Sequence, residues 1–281
     1  MARYLTFRTV ADVERRLGMG RGQGHGAGYL PWFYVHEVPS RGRSHKPIGL
    51  ASGGRTQHLL SDLEWSCNTV FEYLHGVRDI REQFPLLPYR CTVPVARAFG
   101  IRHPIYARNV PKVVTSDLCV DIAIPSNSDN VHEIAVACKY KKDLREESVR
   151  ESLALECATN EALGRRWFKV DEDTIPKQVH KNLIWLRHGA RLPKHLEDPV
   201  SVARFVDAFS AIHDSESPLI ELLNECSAKV RHPYADAVWF FKYACWHHII
   251  SVDLFTPIRL LHSVQLLEGP EHGLELITAA A

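Results

Sequence analysis

Two stretches of period-two alternation, residues 114–124 and 133–140, constrain this chain more than any other feature. Between them runs Pro125-Ser126-Asn127-Ser128-Asp129-Asn130, a cluster of turn formers, so the pair reads as an antiparallel hairpin. Side chains alternate faces along a strand, and cross-strand partners share a face. Leu118, Val120, Ile122, Ile134, Val136 and Cys138 then line one side. Asp117, Cys119, Asp121, Glu133, Ala135, Ala137 and Lys139 line the other. A turn centred on Ser128 pairs Asp121 with Ala135, Cys119 with Ala137 and Asp117 with Lys139, so a carboxylate and an ammonium meet at one end of the sheet.

The flanking segments supply the rest of an α/β domain. Leu60, Leu63, Cys67, Val70 or Phe71, and Leu74 fall at helical spacing, Ser61 suits the N-cap, and Glu64 borders the apolar stripe. Residues 77–84 read as a strand closed by Pro85 and Pro88. Residues 143–166 form an amphipathic helix, residues 167–170 a short strand, and residues 171–176 a linker. The order predicts a mixed sheet flanked by helices over residues 1–172. Residues 173–281 read as a mostly helical, winged-helix-like domain, with helices over 175–188, 199–213, 216–228 and 234–248 and a short strand over 249–254.

Charge is unevenly spread. The whole chain is +1, but residues 1–58 hold nine Arg and Lys against three acids, leaving the remainder net negative. That arm carries glycine at every second position from Gly18 to Gly28, which predicts an irregular loop leading into a strand at residues 33–38. A solvated flexible arm is the plainer reading of the same charges. Seven cysteines without a Cys-x-x-Cys pair indicate reduced core thiols. No signal-like or membrane-length apolar run occurs, so a cytoplasmic protein without membrane contact is expected.

Familiar catalytic motifs are excluded. Gly22-x-Gly24-x-x-Ala27 lacks a preceding strand and meets Pro31 at once, there is no phosphate-loop Gly-Lys-Ser/Thr, and no Gly-x-Ser-x-Gly occurs. His36-Glu37 and His132-Glu133 each lack the second histidine of a zinc-protease helix. What remains is the Asp117/Lys139 pair, either an ordinary cross-strand ion pair or the kernel of a metal-dependent phosphodiesterase. In the latter a carboxylate holds Mg²⁺, and a lysine orients water or offsets phosphorane charge.

Longer blocks favour the second reading. Residues 20–45 (GRGQGHGAGYLPWFYVHEVPSRGRSH), 58–64 (HLLSDLE), 79–88 (DIREQFPLLP), 100–104 (GIRHP) and 115–121 (TSDLCVD) resemble, in order, the TnsA endonuclease family of heteromeric cut-and-paste transposons. The resemblance spans about residues 15–187. It implies a restriction-endonuclease-like fold with Glu64, Asp117 and Lys139 as catalytic residues. Metal ligands would be Glu64, Asp117 and the carbonyl of Cys138, with Mg²⁺ as cofactor and Mn²⁺ as its substitute. It further implies cleavage of the 5′, non-transferred strand at double-stranded transposon ends. The partners would be a transposase subunit that cuts the 3′ ends and an AAA+ regulator, contacted through residues 173–281. Arg21, Arg41 and Arg43 are candidate phosphate contacts, and His25, His45 and His103 candidate border residues. One departure stands out: Ala137 replaces the Gln, Glu or Asp that precedes the lysine by two positions. Glu133, about 13 Å along the strand, is too far to compensate. A weakened, scaffold-like subunit and an autonomous nuclease are the rival expectations.

Overall fold

The computed structural model describes residues 5–39, 42–124 and 127–267. They divide into two compact units, one up to Thr174 and one from Ile175 onward.

The first unit is built on a four-stranded sheet in the order β1 (Val77–Pro85), β2 (Thr115–Ile124), β3 (Asn127–Cys138) and β4 (Arg166–Val170). The first three strands run antiparallel. Strand β4 is parallel to β3, and the crossover between them contains helix α4 (Glu147–Ala162). Three more helices belong to this unit: α1 (Val10–Gly18), α2 (Asp62–Tyr73) and α3 (Thr92–Ala98). The expected α/β class, a mixed sheet flanked by helices, is what forms.

Helix α2 starts where its cap predicts, with Ser61 Oγ accepting from the Glu64 amide at 3.1 Å. Its stripe of Leu63, Cys67, Val70 and Phe71 is buried, and the helix packs on β1, β2 and β3. On the sheet, Ile80, Leu118, Val120 and Val136 are fully buried. Each such side chain contributes roughly 1.5–3 kcal/mol of burial free energy, enough to hold the hairpin's faces as read.

The register differs from the expected one by two residues. Cys119 pairs with Ala135 and Asp121 with Glu133, so Asp117 lies level with Ala137 rather than Lys139. A slip of two keeps every side chain on its own face, so hydrophobic patterning cannot detect it. The ladder shifts between Ala123 and Ile124, and Ile124 pairs with Asn127; Pro125 and Ser126 of the expected turn lie outside the described residues.

The glycine arm is no solvated tail. Gly22 has φ +73° and sits where a Cβ would come within 2.0 Å of the Pro85 ring, so only glycine lets the loop close on the end of β1. Tyr29 and Trp32 follow as core residues, Trp32 among Phe7, Val13, Tyr89, Val110 and Val113. The strand expected over residues 33–38 does not form. Val35–Glu37 is instead a 3₁₀ turn, closed by Glu37 accepting from the Tyr34 amide and pairing with Arg16.

The second unit contains α5 (Lys177–Arg187), α6 (Pro199–Ile212), α7 (Leu219–Val230) and α8 (Tyr234–Trp246). Phe205, Phe209, Phe240 and Phe241 form its aromatic centre. Buried Asn182 ties α5 to the following chain, donating to the carbonyls of Leu254 and Thr256 and accepting from the Ile258 amide. The expected strand over 249–254 is reduced to one antiparallel bridge, Val252 with Leu266. None of the seven cysteines is in a disulfide. No helix among the described residues is long and apolar enough to cross a membrane.

Candidate active site

At the end of the hairpin distant from its turn, Asp117 Oδ2 accepts from the Cys138 amide at 2.7 Å and from Lys139 Nζ at 2.9 Å. The ammonium also donates to the Cys138 carbonyl at 3.1 Å. Lys139 follows the last residue of β3, and its amide bonds to Val170 of β4. The ion pair therefore forms diagonally: Asp117 sits level with Ala137, and the long lysine chain reaches back. The carboxylate holds the ammonium firmly charged, raising its pKa against the opposing effect of burial.

Two further carboxylates are buried around this pair. Glu64, in the first turn of α2, is 5% exposed. Its Oε2 accepts from the Leu60 amide at 2.8 Å and Gln83 Nε2 at 3.0 Å, and its Oε1 from Ser61 Oγ at 3.1 Å. Burial, and then the charge of Asp117, push its carboxyl up to about 8. Glu156, on α4, accepts from Trp167 Nε1 at 3.0 Å and from the Ser116 hydroxyl. The same two causes push it up to about 7. Three acids thus share the field of one lysine, and a bound cation would favour the ionised form of the two that burial holds protonated.

Glu156 was missed in the sequence. Its signal is position: it lies one turn after Leu153 and one turn before Asn160, on the buried side of α4. A carboxylate and an amide inside an apolar stripe are costly unless they serve something. Gln83 was also missed. It sits at φ +49° in β1, an unusual conformation for a side chain that holds Glu64.

No family model matches the chain. The transposon Tn7 transposition protein TnsA of Escherichia coli is 39% identical to it over 186 residues. The chain belongs to the TnsA family. The match takes in 66% of this chain and 66% of that protein's length.

In this TnsA-family chain the remaining residues singled out in the sequence fall in several places. Ala137 is fully buried and brings no side-chain donor. Glu133 lies apart from Asp117, bonded to Arg81 at 2.6 Å and Arg165 at 2.7 Å. Arg81, itself buried, also bonds to Asp121 and forms the hub of a charge network that sequence reading did not foresee. Arg21 is half-buried, stacked 4.0 Å over the Tyr34 ring. Arg43 is exposed, and Arg41 lies outside the described residues. His45 bonds to Asp62 at 2.6 Å and stacks on Trp65, whereas His103 bonds to Thr92 and the Pro104 carbonyl in a structural role. His25 lies against Asp121 and Asp79.

The donor set fits a hard divalent cation. The Asp117 carboxylate and the Cys138 carbonyl converge on one point, the Lys139 ammonium that bonds to both. Glu64 and Glu156 are close enough to feel Asp117. Mg²⁺ takes oxygen ligands and keeps several waters, so a set without a side-chain donor at Ala137 suffices.

Proposed function

We propose that this chain is the endonuclease subunit of a cut-and-paste transposition system, hydrolysing the 5′, non-transferred strand at transposon ends to leave 3′-hydroxyl and 5′-phosphate termini. The observation that carries this reading is the Asp117/Lys139 pair at the strand end, flanked by two buried carboxylates whose pKa values are raised. Glu64, Asp117 and the Cys138 carbonyl would hold Mg²⁺ or Mn²⁺. When bound, the metal supplies Lewis-acid stabilisation of the scissile phosphate.

The protein's own groups then divide the work. Lys139 stays protonated near neutral pH, so it does not act as a base. It orients water and offsets negative charge as the phosphorane develops. Glu156, held near 7, can take a proton at neutral pH. The exposed Arg43 and the basic arm contribute sequence-indifferent phosphate contact. A restriction-endonuclease-like first unit would cut. The helical second unit, winged-helix-like in general character, would dock the transposase subunit and the AAA+ regulator.

Buried Ala137 favours one alternative, a scaffold subunit that recruits its partners without cutting. A strand-resolved assay on a transposon-end duplex, with partner proteins and Mg²⁺, separates the two. Robust 5′-strand cutting that disappears with Asp117→Ala and with Lys139→Ala is the expected outcome. Near-zero wild-type cutting that rises sharply with Ala137→Gln would establish the scaffold instead.

A further inference from the structure

Where the glycine loop meets the sheet, one imidazole and two buried carboxylates converge. His25 Nδ1 is 3.2 Å from Asp121 Oδ2 and 3.8 Å from Asp79 Oδ2, and one ligand atom from each residue lies within 4.8 Å of the others. Metal bonds of about 2.0–2.2 Å set tetrahedral neighbours roughly 3.3–3.6 Å apart, so this spacing suits ligands around a single ion.

Two observations separate this cluster from an ordinary ion-pair network. Asp79 is 4% exposed, and its Oδ1 is sealed from solvent yet accepts from no described residue. Among the described residues its Oδ2 accepts one hydrogen bond, from the Gly26 amide at 2.7 Å. The local charges also fail to balance. Asp79, Asp121 and Glu133 face Arg81 and Arg165, while neighbouring Arg55 is taken by Glu82. Three carboxylates thus share two guanidinium groups, a surplus of negative charge that proteins resolve by pairing or metal coordination.

We propose that His25, Asp79 and Asp121 form a second divalent-cation site, which pins the glycine loop to β1 and β2. One imidazole nitrogen beside two carboxylates favours Zn²⁺, Co²⁺ or Mn²⁺ over Mg²⁺, which prefers oxygen donors and water. The His25 side chain is 68% exposed, so water completes the coordination. The site is separate from the catalytic one. Asp121 lies four residues beyond Asp117 on β2, about 13 Å at ~3.3 Å per residue, whereas paired catalytic metals sit about 4 Å apart.

The test is a titration of the tag-free, EDTA-stripped full chain with Co²⁺, in an Asp117→Asn background that disables the first site. One equivalent should bind with the visible absorption of a four- or five-coordinate ion, displaced by Zn²⁺ and not by Mg²⁺. His25→Ala, at an exposed side chain, should weaken binding at least about tenfold, since loss of an outer-shell partner alone costs about 10–100-fold. Asp79→Asn, which keeps the Gly26 bond through its amide oxygen, should do the same. Absence of the absorbing equivalent, or affinity reduced by less than about tenfold in both variants, overturns the proposal. Zn²⁺ should also raise the melting temperature of the Asp117→Asn protein. The same rise in the His25→Ala variant would equally overturn it.

Discussion

Replacing Glu64 by glutamine should stabilise the metal-free protein at neutral pH and abolish its cutting. The substitution preserves shape and bonding. A glutamine carbonyl in the Oε2 position accepts from Leu60 and Gln83, and the amide in the Oε1 position donates to the Ser61 hydroxyl. What it removes is a carboxyl raised from 4.5 to about 8 by burial and by Asp117. Between those values the unfolded chain has released a proton that the folded chain retains. Wild-type stability is therefore full below pH 4.5, falls as pH rises through the window, and levels off above about 8. At about 1.4 kcal/mol per pKa unit, the loss reaches about 3 kcal/mol at pH 7 and about 4 kcal/mol at pH 8. Glu156 moves in the same direction and shares Asp117 as a perturbing charge, so the midpoints belong to the coupled set. Urea unfolding in EDTA from pH 5 to 8.5, followed on the first unit, measures the effect. The stability of Glu64→Gln relative to wild type should grow by about 4 kcal/mol across that range. A difference that stays constant with pH would refute the reasoning.

Two other outcomes follow from the same geometry. Because Glu64 must lose its proton to bind a cation, Mn²⁺ affinity should tighten by about tenfold per pH unit up to about pH 8. Calorimetry in buffers of different ionisation enthalpy should show the released proton, and a pH-independent affinity would count against Glu64 as a ligand. Arg81→Met leaves buried Asp121 without its guanidinium, takes one of two from half-buried Glu133, and should cost about 3–5 kcal/mol. A thermal melt shifted by only a degree or two would mean that Arg165 and solvent carry those charges instead.

Much of the first unit was legible because its signals are local. Ser61 announces the start of α2, and the alternation around Asp117 and Lys139 assigns every residue of the hairpin to a face. The glycine run marked an irregular loop, but its alternation with Arg21, Gln23 and His25 gave no hint that Gly22 closes onto Pro85. The strand expected at residues 33–38 failed because a bond from Tyr34 to Glu37, backed by Arg16, offers the backbone a tighter turn. Glu156 is not legible in the sequence, because the helical period of α4 is carried by its leucines and a single carboxylate within the stripe has no local signature.

The sequence by itself determined helix α2, the hairpin strands with their faces, and the identity of the Asp117/Lys139 pair, since backbone preference and the period of burial act over a few residues. Tertiary structure alone decided the two-residue register, the diagonal reach of Lys139, the arrival of Glu156 beside Asp117, and the enclosure of Asp79, Asp121 and Arg81. Those outcomes depend on how strands and helices separated by tens of residues dock. Faces are set by polarity, which each strand carries in itself. Register and charge partners are set by which distant groups are sealed from water together, and there an unpaired charge costs far more than a misplaced apolar one.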